Sequence, residues 1–141
     1  MADDCVFCKI LKKEVPCVKV YEDEYTFAFL DVQPINKGHT LVIPKSHHEN
    51  LFDLPKDQLH QCISTVKTVA LAIKESLRPD GINVGMNNNR AAGQVVFHAH
   101  FHIIPRFLGD GLHHWPGKKM EAAMMGMIGK DIAGAIKEKT A

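Results

Sequence analysis

Long hydrophobic runs and an excess of one charge are both missing from this sequence. The longest apolar runs, VALAI, FAFL and VVF, are far too short to span a bilayer, so we expect no membrane association. The formal net charge of +1 gives no overall basic field to attract nucleic acid. The first ten residues are acidic and lack the apolar stretch of a signal peptide, which predicts a cytoplasmic protein.

Glycine-rich phosphate-binding motifs are also absent, and cysteine is scarce. Neither a P-loop nor a dinucleotide-binding fingerprint occurs, which leaves the nine histidines as the candidate catalytic groups. The four cysteines, at positions 5, 8, 17 and 62, are too scattered for a disulfide framework. Cys5 and Cys8 have the spacing of half a zinc site or of a redox pair, and no second cysteine pair completes a zinc finger.

Hydrophobic periodicity and turn residues divide the chain into strands and helices. The predicted strands are residues 18–24, 25–32, 39–45, 82–88 and 95–104. Apolar residues recur at helical spacing from Leu59 to Leu77, with Pro55 in the first turn, and again from Met120 to Ile136. Hairpin-like connections and one long helix predict an antiparallel α+β domain.

Three histidines alternate with apolar residues in VFHAHFHII, residues 96–104. If this segment is extended, His98, His100 and His102 project from one face, and the residues between them project from the other. Crowding disfavours protonation of all three rings, so at least one imidazole is expected to be neutral and nucleophilic. The alternative interpretations are half-exposed strand histidines or a metal site.

The three alternating histidines belong to a set of motifs that occur in a fixed order along the chain. HAHFHII, from His98 to Ile104, resembles the motif of the histidine triad superfamily, in which three histidines are separated by single apolar residues. The resemblance extends over YED and AFLD (21–23 and 28–31), GHTLVIPK (38–45), and NNN with GQ (87–89 and 93–94). Within that superfamily the sequence resembles the zinc-containing Hit and Hint branch.

This resemblance implies a specific architecture. We expect an α+β fold with a five-stranded antiparallel sheet, one long helix, a short N-terminal helix and a C-terminal helix. The sheet would continue across a homodimer, which also hides edge strands. We predict a single domain over residues 1–141, with a core at about 5–105 and a C-terminal extension at about 106–141.

The resemblance also implies a function. The chain would be a histidine triad nucleotide hydrolase that acts on a purine nucleoside 5′-phosphoramidate through a covalent nucleotidyl-histidine intermediate. His100 would be the nucleophile, with its second nitrogen held by a backbone carbonyl near His98, and His102 would contact the phosphate or protonate the leaving group. The mechanism requires no catalytic metal or organic cofactor. The alternatives are a dinucleoside polyphosphate hydrolase and a zinc-stabilised nucleotide-binding scaffold.

Further residues match positions that bind the nucleotide in the family. Asp31 would accept hydrogen bonds from the ribose, and His39 would lie beside the site. The phosphate would be bound by donors in one segment, namely Asn87 (or the adjacent Asn88), Gly93, Gln94 and Val95. Family members often carry a hydroxyl residue at position 95, which leaves only a backbone donor here. Trp115 resembles a tryptophan that reaches the neighbouring subunit's pocket, with core packing as the alternative.

The resemblance also gives the cysteine pair two partners. Cys5 and Cys8 would form a structural zinc site with His98 and with His47, or with its neighbour His48. A reduced pair without metal and a redox pair are the alternatives.

Overall fold

The computed structural model describes residues 4–140, and its contacts divide the chain after Asp110 into two units. The first unit contains the five strands and two of the three α-helices. These elements, in chain order, are α1 (Val6–Leu11), β1 (Lys19–Glu22), β2 (Thr26–Leu30), β3 (Thr40–Pro44), α2 (Lys56–Leu77), β4 (Gly81–Gly85) and β5 (Phe101–Arg106). The strands form one antiparallel sheet in the order β1-β2-β3-β5-β4. The predicted α+β class with a five-stranded sheet is confirmed.

Each face of the central strands is buried against a helix. On one face, α2 contributes a row of apolar side chains that includes Cys62, Val66 and Val69, and these pack with Val42 and Ile103. On the opposite face, the short helix α1 packs with a second cluster: Phe7, Cys8, Ile10, Phe27, Phe29, Leu41 and Ile43. Because both faces are covered, β3 is buried at every residue and β2 at all but its last. The predicted N-terminal helix therefore covers the sheet face opposite α2.

The predicted strand at 95–104 is wrong at both of its ends. β5 begins at Phe101 and continues through Pro105 to Arg106, with Pro105 opposite Ile82 of β4. Residues 95–100 lie outside the ladder: the Ala99 N–H donates to the His48 carbonyl beyond β3, and the Pro44 carbonyl oxygen at the end of β3 accepts a hydrogen bond from the His98 ring at 2.9 Å. The His98 side chain thus bonds to the Pro44 carbonyl, where a backbone N–H would bond in a continuous ladder. The predicted strand at 82–88 is similarly shorter, since β4 ends at Gly85.

Side chains from His98 to Ile103 still alternate between the two faces of the sheet, although the strand begins only at Phe101. Ala99, Phe101 and Ile103 are buried in the cluster that packs on α2. The histidines between them lie on the opposite face, where the Phe7 ring contacts the rings of His98 and His100. The sequence pattern therefore predicted the correct faces from an incorrect strand boundary.

The second unit begins at Gly111 and contains α3 (Ala122–Thr140). Residues 111–121 are irregular, so the helix starts two residues after the predicted Met120. Its methionine and isoleucine side chains are solvent-exposed within this unit, for example Met127 at 68%. Across residues 4–140, no helix has the length and apolar character needed to cross a membrane. The prediction of a single domain over the whole chain stays a prediction.

Candidate active site and metal cluster

The ends of β2, β3 and β5 bring together three of the predicted site residues. Asp31 directly follows β2, and its N–H donates to the carbonyl oxygen of His39 at 2.9 Å. His39 directly precedes β3, whose Leu41 lies opposite His102 of β5. The His39 Nε2 and His102 Nδ1 atoms are 2.9 Å apart, and the Asp31 carboxylate is 3.7 Å from His39 Nε2.

A tight turn at Gly38 sets the direction of the chain into His39. Gly38 has a φ of +87°, a conformation that L side chains rarely adopt. A Cβ atom at this position would also meet the Leu77 side chain and lie 3.1 Å from the Pro105 ring. The backbone conformation therefore favours glycine before His39, and a Cβ there would also require the Leu77 side chain and the Pro105 ring to shift.

His100 is buried and its ring is oriented by a backbone carbonyl. Its Nδ1 donates to the carbonyl oxygen of His98 at 2.7 Å, as expected from the sequence. The proton of the neutral ring is thereby assigned to Nδ1, and Nε2 keeps its lone pair. Burial lowers the pKa of His100, which favours this neutral form. His100 therefore has the protonation state that a nucleophile needs near neutral pH.

His102 lies beside His100, with 5.0 Å between the ring centroids. Burial lowers the pKa of His102 to about 4 and also lowers that of His39. The buried Nε2 atom of His102 has no hydrogen-bond partner among the described residues. A buried donor without a partner costs about 1–3 kcal/mol, so this nitrogen is a natural contact for a bound ligand.

The predicted phosphate-binding segment is held by its own hydrogen bonds. Gln94 is buried; its Oε1 accepts from the Asn89 N–H at 2.8 Å and its Nε2 donates to the Glu49 carbonyl at 2.6 Å. The N–H groups of Gly93 and Gln94 also donate to carbonyls within the turn. These two residues therefore shape the segment, while Val95 next to them is 86% exposed.

Asn87 and Asn88 differ in what their side chains contact. Asn88 Oδ1 accepts from the Leu51 N–H at 2.8 Å, which ties the segment to the loop after β3. Asn87 Nδ2 makes only a long 3.5 Å contact, to the Gly93 carbonyl. The Asn87 amide is thus the freer of the two to bind a ligand.

Sequence reasoning missed two residues that support this region. Asn50 is buried, and its Nδ2 donates to Asn89 Oδ1 at 2.9 Å and lies 3.4 Å from Gln94 Oε1. Phe7, between the two cysteines, stands edge-on to His100 with ring centroids 5.1 Å apart. Neither position carries a motif by itself, because each acts through contacts with residues at least 39 positions away.

The four predicted metal ligands converge in the first unit. The ligand atoms of Cys5, Cys8, His47 and His98 all lie within 4.8 Å of one another. The closest approaches are 3.2 Å between the two histidine Nδ1 atoms and 3.3 Å between Cys8 Sγ and His47 Nδ1. His48 is not part of this group; its carbonyl oxygen instead accepts from the Ala99 N–H at 2.7 Å.

The distances in this cluster fit a tetrahedral zinc ion. Zinc bond lengths of about 2.3 Å to sulfur and 2.05 Å to nitrogen separate S and N ligands by about 3.6 Å and two N ligands by about 3.3 Å. The measured Sγ–Nδ1 distances are 3.3 to 3.5 Å, and the Nδ1–Nδ1 distance is 3.2 Å. The His98 Nε2–H donates to the Pro44 carbonyl, which leaves the Nδ1 lone pair directed at the thiols. The donor set therefore fits the metal.

Burial disfavours the charged forms of two of these ligands, Cys8 and His98. It raises the pKa of the Cys8 thiol to about 11 and lowers the pKa of the His98 ring to about 4. A bound divalent cation would reverse the preference of the thiol, because zinc displaces its proton. The cysteines are free thiols, which also keeps them available as ligands.

Trp115 belongs to the second unit and is 93% exposed there. Packing of this ring against a core outside its own unit stays an alternative prediction. Contact of its ring with a neighbouring subunit stays a prediction.

Comparison with known proteins identifies the family. Residues 12–109 match the model of the HIT domain, so the chain belongs to the HIT family, as predicted. An adenosine 5′-monophosphoramidase of Schizosaccharomyces pombe is 41% identical over 138 residues, which cover 94% of this chain and 98% of the relative.

Solved structures agree with this assignment. A HIT family protein from Bacillus anthracis is 40% identical, with a TM-score of 0.87 over 96% of this chain and 99% of its own. A Zn-bound histidine triad family protein from Mycobacterium smegmatis is 38% identical, with a TM-score of 0.76 over 84% of this chain and 86% of its own.

Proposed function

We propose that this chain is a histidine triad nucleotide hydrolase that cleaves purine nucleoside 5′-phosphoramidates or related nucleotide conjugates. The observation that carries the proposal is the His100 ring, which is buried, held at Nδ1 by the His98 carbonyl, and left with a lone pair at Nε2. The similarity to an adenosine 5′-monophosphoramidase supports the substrate class and the purine base.

The reaction would proceed in two displacements at the α-phosphorus. The His100 Nε2 lone pair forms a bond to phosphorus, and the bond to the leaving group breaks with its electron pair, so the departing amine takes up a proton. A water molecule then attacks the same phosphorus and releases a proton to the solvent, the electron pair of the P–Nε2 bond returns to Nε2, and the nucleoside monophosphate leaves. Dividing one difficult displacement into two easier steps is the usual advantage of a covalent intermediate.

The substrate would be bound by groups around this nitrogen. Asp31, which is partly exposed, would accept hydrogen bonds from the ribose hydroxyls. The Asn87 amide and the Val95 backbone N–H would donate to the phosphate, and the His102 Nε2 atom would contact it from the other side. Gly93 and Gln94 would act by holding the segment in shape.

A structural zinc ion would be held by Cys5, Cys8, His47 and His98. When bound, it supplies a closed tetrahedral cross-link and no reaction chemistry. The ring of His98 would face the metal while its carbonyl holds His100, so the same residue supports both sites. The Zn-bound relative supports this assignment.

The protein would act as a cytoplasmic homodimer. β4 lies at one edge of the sheet, and its Val84 is 51% exposed. Ile63 and Leu71 of α2 are also exposed, at 47% and 54%. A second copy that continues the sheet would cover such an edge, and Trp115 would then reach the partner's pocket.

Substitution of the nucleophile tests the proposal. We expect His100→Ala to lower kcat for adenosine 5′-phosphoramidate by at least about 10⁴-fold, a scale typical of a removed nucleophile, with nucleotide binding largely retained. Substitution of the exposed His60 by alanine is the matched control and should leave kcat unchanged. Mass spectrometry of quenched wild-type samples should find a nucleotide adduct on the peptide that carries residues 98–102.

Diadenosine tetraphosphate is assayed alongside the phosphoramidate. Faster turnover of this compound with the same adduct would assign the dinucleoside polyphosphate hydrolase instead. Absence of both adduct and turnover with either compound would exclude the hydrolase and favour the nucleotide-binding scaffold.

A further inference from the structure

The loop before β3 determines which nitrogen of His39 carries the proton. The Ile35 backbone N–H donates to His39 Nδ1 at 3.0 Å. A backbone N–H can only donate, so His39 Nδ1 must offer its lone pair. The proton of the neutral His39 ring therefore lies on Nε2.

The proton on His39 Nε2 in turn determines which nitrogen of the His102 ring is protonated. His39 Nε2 lies 2.9 Å from His102 Nδ1, and since His39 Nε2 is the donor, His102 Nδ1 is the acceptor. The proton of the neutral His102 ring is then on Nε2, the buried atom that has no acceptor within residues 4–140. Three groups thus form a directional chain that ends in one unsatisfied donor.

The same contacts argue against a metal ion among Asp31, His39 and His102, although their ligand atoms lie within 4.8 Å of one another. A metal bound at His39 Nε2 would leave both nitrogens of that ring without a proton, because Nδ1 already accepts from Ile35. The separation of 2.9 Å is that of a hydrogen bond, and the two ligands of one tetrahedral ion would lie farther apart.

We propose that the Ile35 backbone N–H is a positioning group that fixes His102, through His39, as an Nε2–H donor to a phosphoryl oxygen of the bound nucleotide. The identity of that oxygen rests on the proposed function, whereas the assignment of protons does not. The Ile35 side chain is 51% exposed, so this residue acts through its backbone. Its loop is held by the Asn36 amide, which donates to the Pro105 carbonyl at 2.9 Å.

The proposal distinguishes between the two roles expected for His102. A neutral ring that gave its Nε2 proton to the leaving group would become an imidazolate, a costly species in a buried site. A neutral ring that keeps the proton can donate a hydrogen bond to phosphate throughout the reaction. In the proposed reaction His102 would therefore donate to the phosphate throughout, and the departing amine would take its proton from water.

Nuclear magnetic resonance of the wild-type protein tests the proton assignment directly. Two-bond ¹⁵N–¹H correlations of the histidine rings distinguish Nδ1–H from Nε2–H, and single His→Asn variants at positions 39 and 102 assign the signals. We expect both rings to carry the proton on Nε2 at pH 7.5. A His102 ring that carries its proton on Nδ1, or on both nitrogens, overturns the proposal.

Two variants at position 35 test the role of the N–H. Ile35→Pro removes the donor, and Ile35→Ala keeps it while removing most of the side chain. We expect Ile35→Pro to give mixed tautomers at His39 and His102 and to lower kcat by roughly tenfold, the bias that one ordinary hydrogen bond supplies, with KM changed less than about twofold.

Ile35→Ala should match the wild type in both measurements. Unchanged tautomers in a folded Ile35→Pro protein would refute the proposal, and if that variant does not fold, the wild-type spectrum decides alone. Should the wild type hydrolyse no nucleotide conjugate, the proposed function fails while the spectrum still tests the proton assignment.

Discussion

Two groups of polar atoms, each built around histidine rings, lie in the first unit and differ in how their donors and acceptors face one another. In the cluster of Cys5, Cys8, His47 and His98, four ligand atoms converge on one point. In the group of Ile35, His39 and His102, each donor faces an acceptor in sequence. Lone pairs that point at one another repel unless a cation lies between them. In a chain of donors and acceptors, by contrast, each lone pair already faces an N–H proton. The arrangement of lone pairs therefore separates a metal site from a proton-fixing one.

Removal of one convergent ligand should have the largest effect on stability. We expect wild-type protein to contain one zinc ion per chain, and Cys8→Ser to lose it. The free energy of unfolding should fall by about 4 kcal/mol or more, the scale of losing a metal site. Elemental analysis and urea unfolding measure the two quantities. Cys17→Ser is the matched control, since Cys17 lies outside the cluster. Metal-free wild type, purified with zinc present, would rule out the site.

A substitution in the turn before His39 should have an intermediate effect on the free energy of unfolding. Gly38→Ala places a Cβ against Leu77 and Pro105 in a left-handed conformation, so we expect a loss of about 2–4 kcal/mol in unfolding free energy. Gly85→Ala is the control, because its Cβ would meet nothing within 4 Å. Equal unfolding midpoints in urea for the two variants would contradict the role of this turn.

The smallest expected effect concerns pH. Burial lowers the pKa of His102 to about 4, whereas the unfolded chain protonates this ring near its ordinary value of 6.5. The stability that the neutral ring contributes is therefore complete above pH 6.5 and is lost as the pH falls towards 4. In His102→Asn, the slope of unfolding free energy against pH between 6.5 and 4.5 should be smaller, by an amount equivalent to up to about one bound proton. An identical pH dependence in both proteins would show that His102 titrates normally in the fold.

The sequence predicted most of the fold and the histidines of both groups. The details that it missed depend on contacts between residues far apart in the chain. Periodicity predicted the strands, α2 and the face on which the histidines lie. It placed the start of β5 too early, because no local pattern reports that the His98 ring bonds the Pro44 carbonyl. The metal ligands came from family resemblance, and geometry was needed to choose His47 over His48.

The proton assignment could not have been predicted. It depends on the backbone N–H of Ile35, a group that every non-proline residue possesses, and on the chance that a turn directs it at His39. The role of Gln94 also could not be predicted, because its amide hydrogen-bonds to the backbone of Asn89 and Glu49, which lie 5 and 45 residues away. Residue types in a motif indicate which groups are available, but only the folded backbone determines which of them are already engaged.

Phe7 lies between the candidate metal cluster and the His100 ring. Its ring stands against the edges of both His98 and His100, and it lies between the two cysteines in α1. The packing of that short helix on the sheet thus places an apolar ring beside His100. Without α1 in place His100 would be more exposed to water, so the burial that lowers its pKa and favours its neutral form depends in part on this helix.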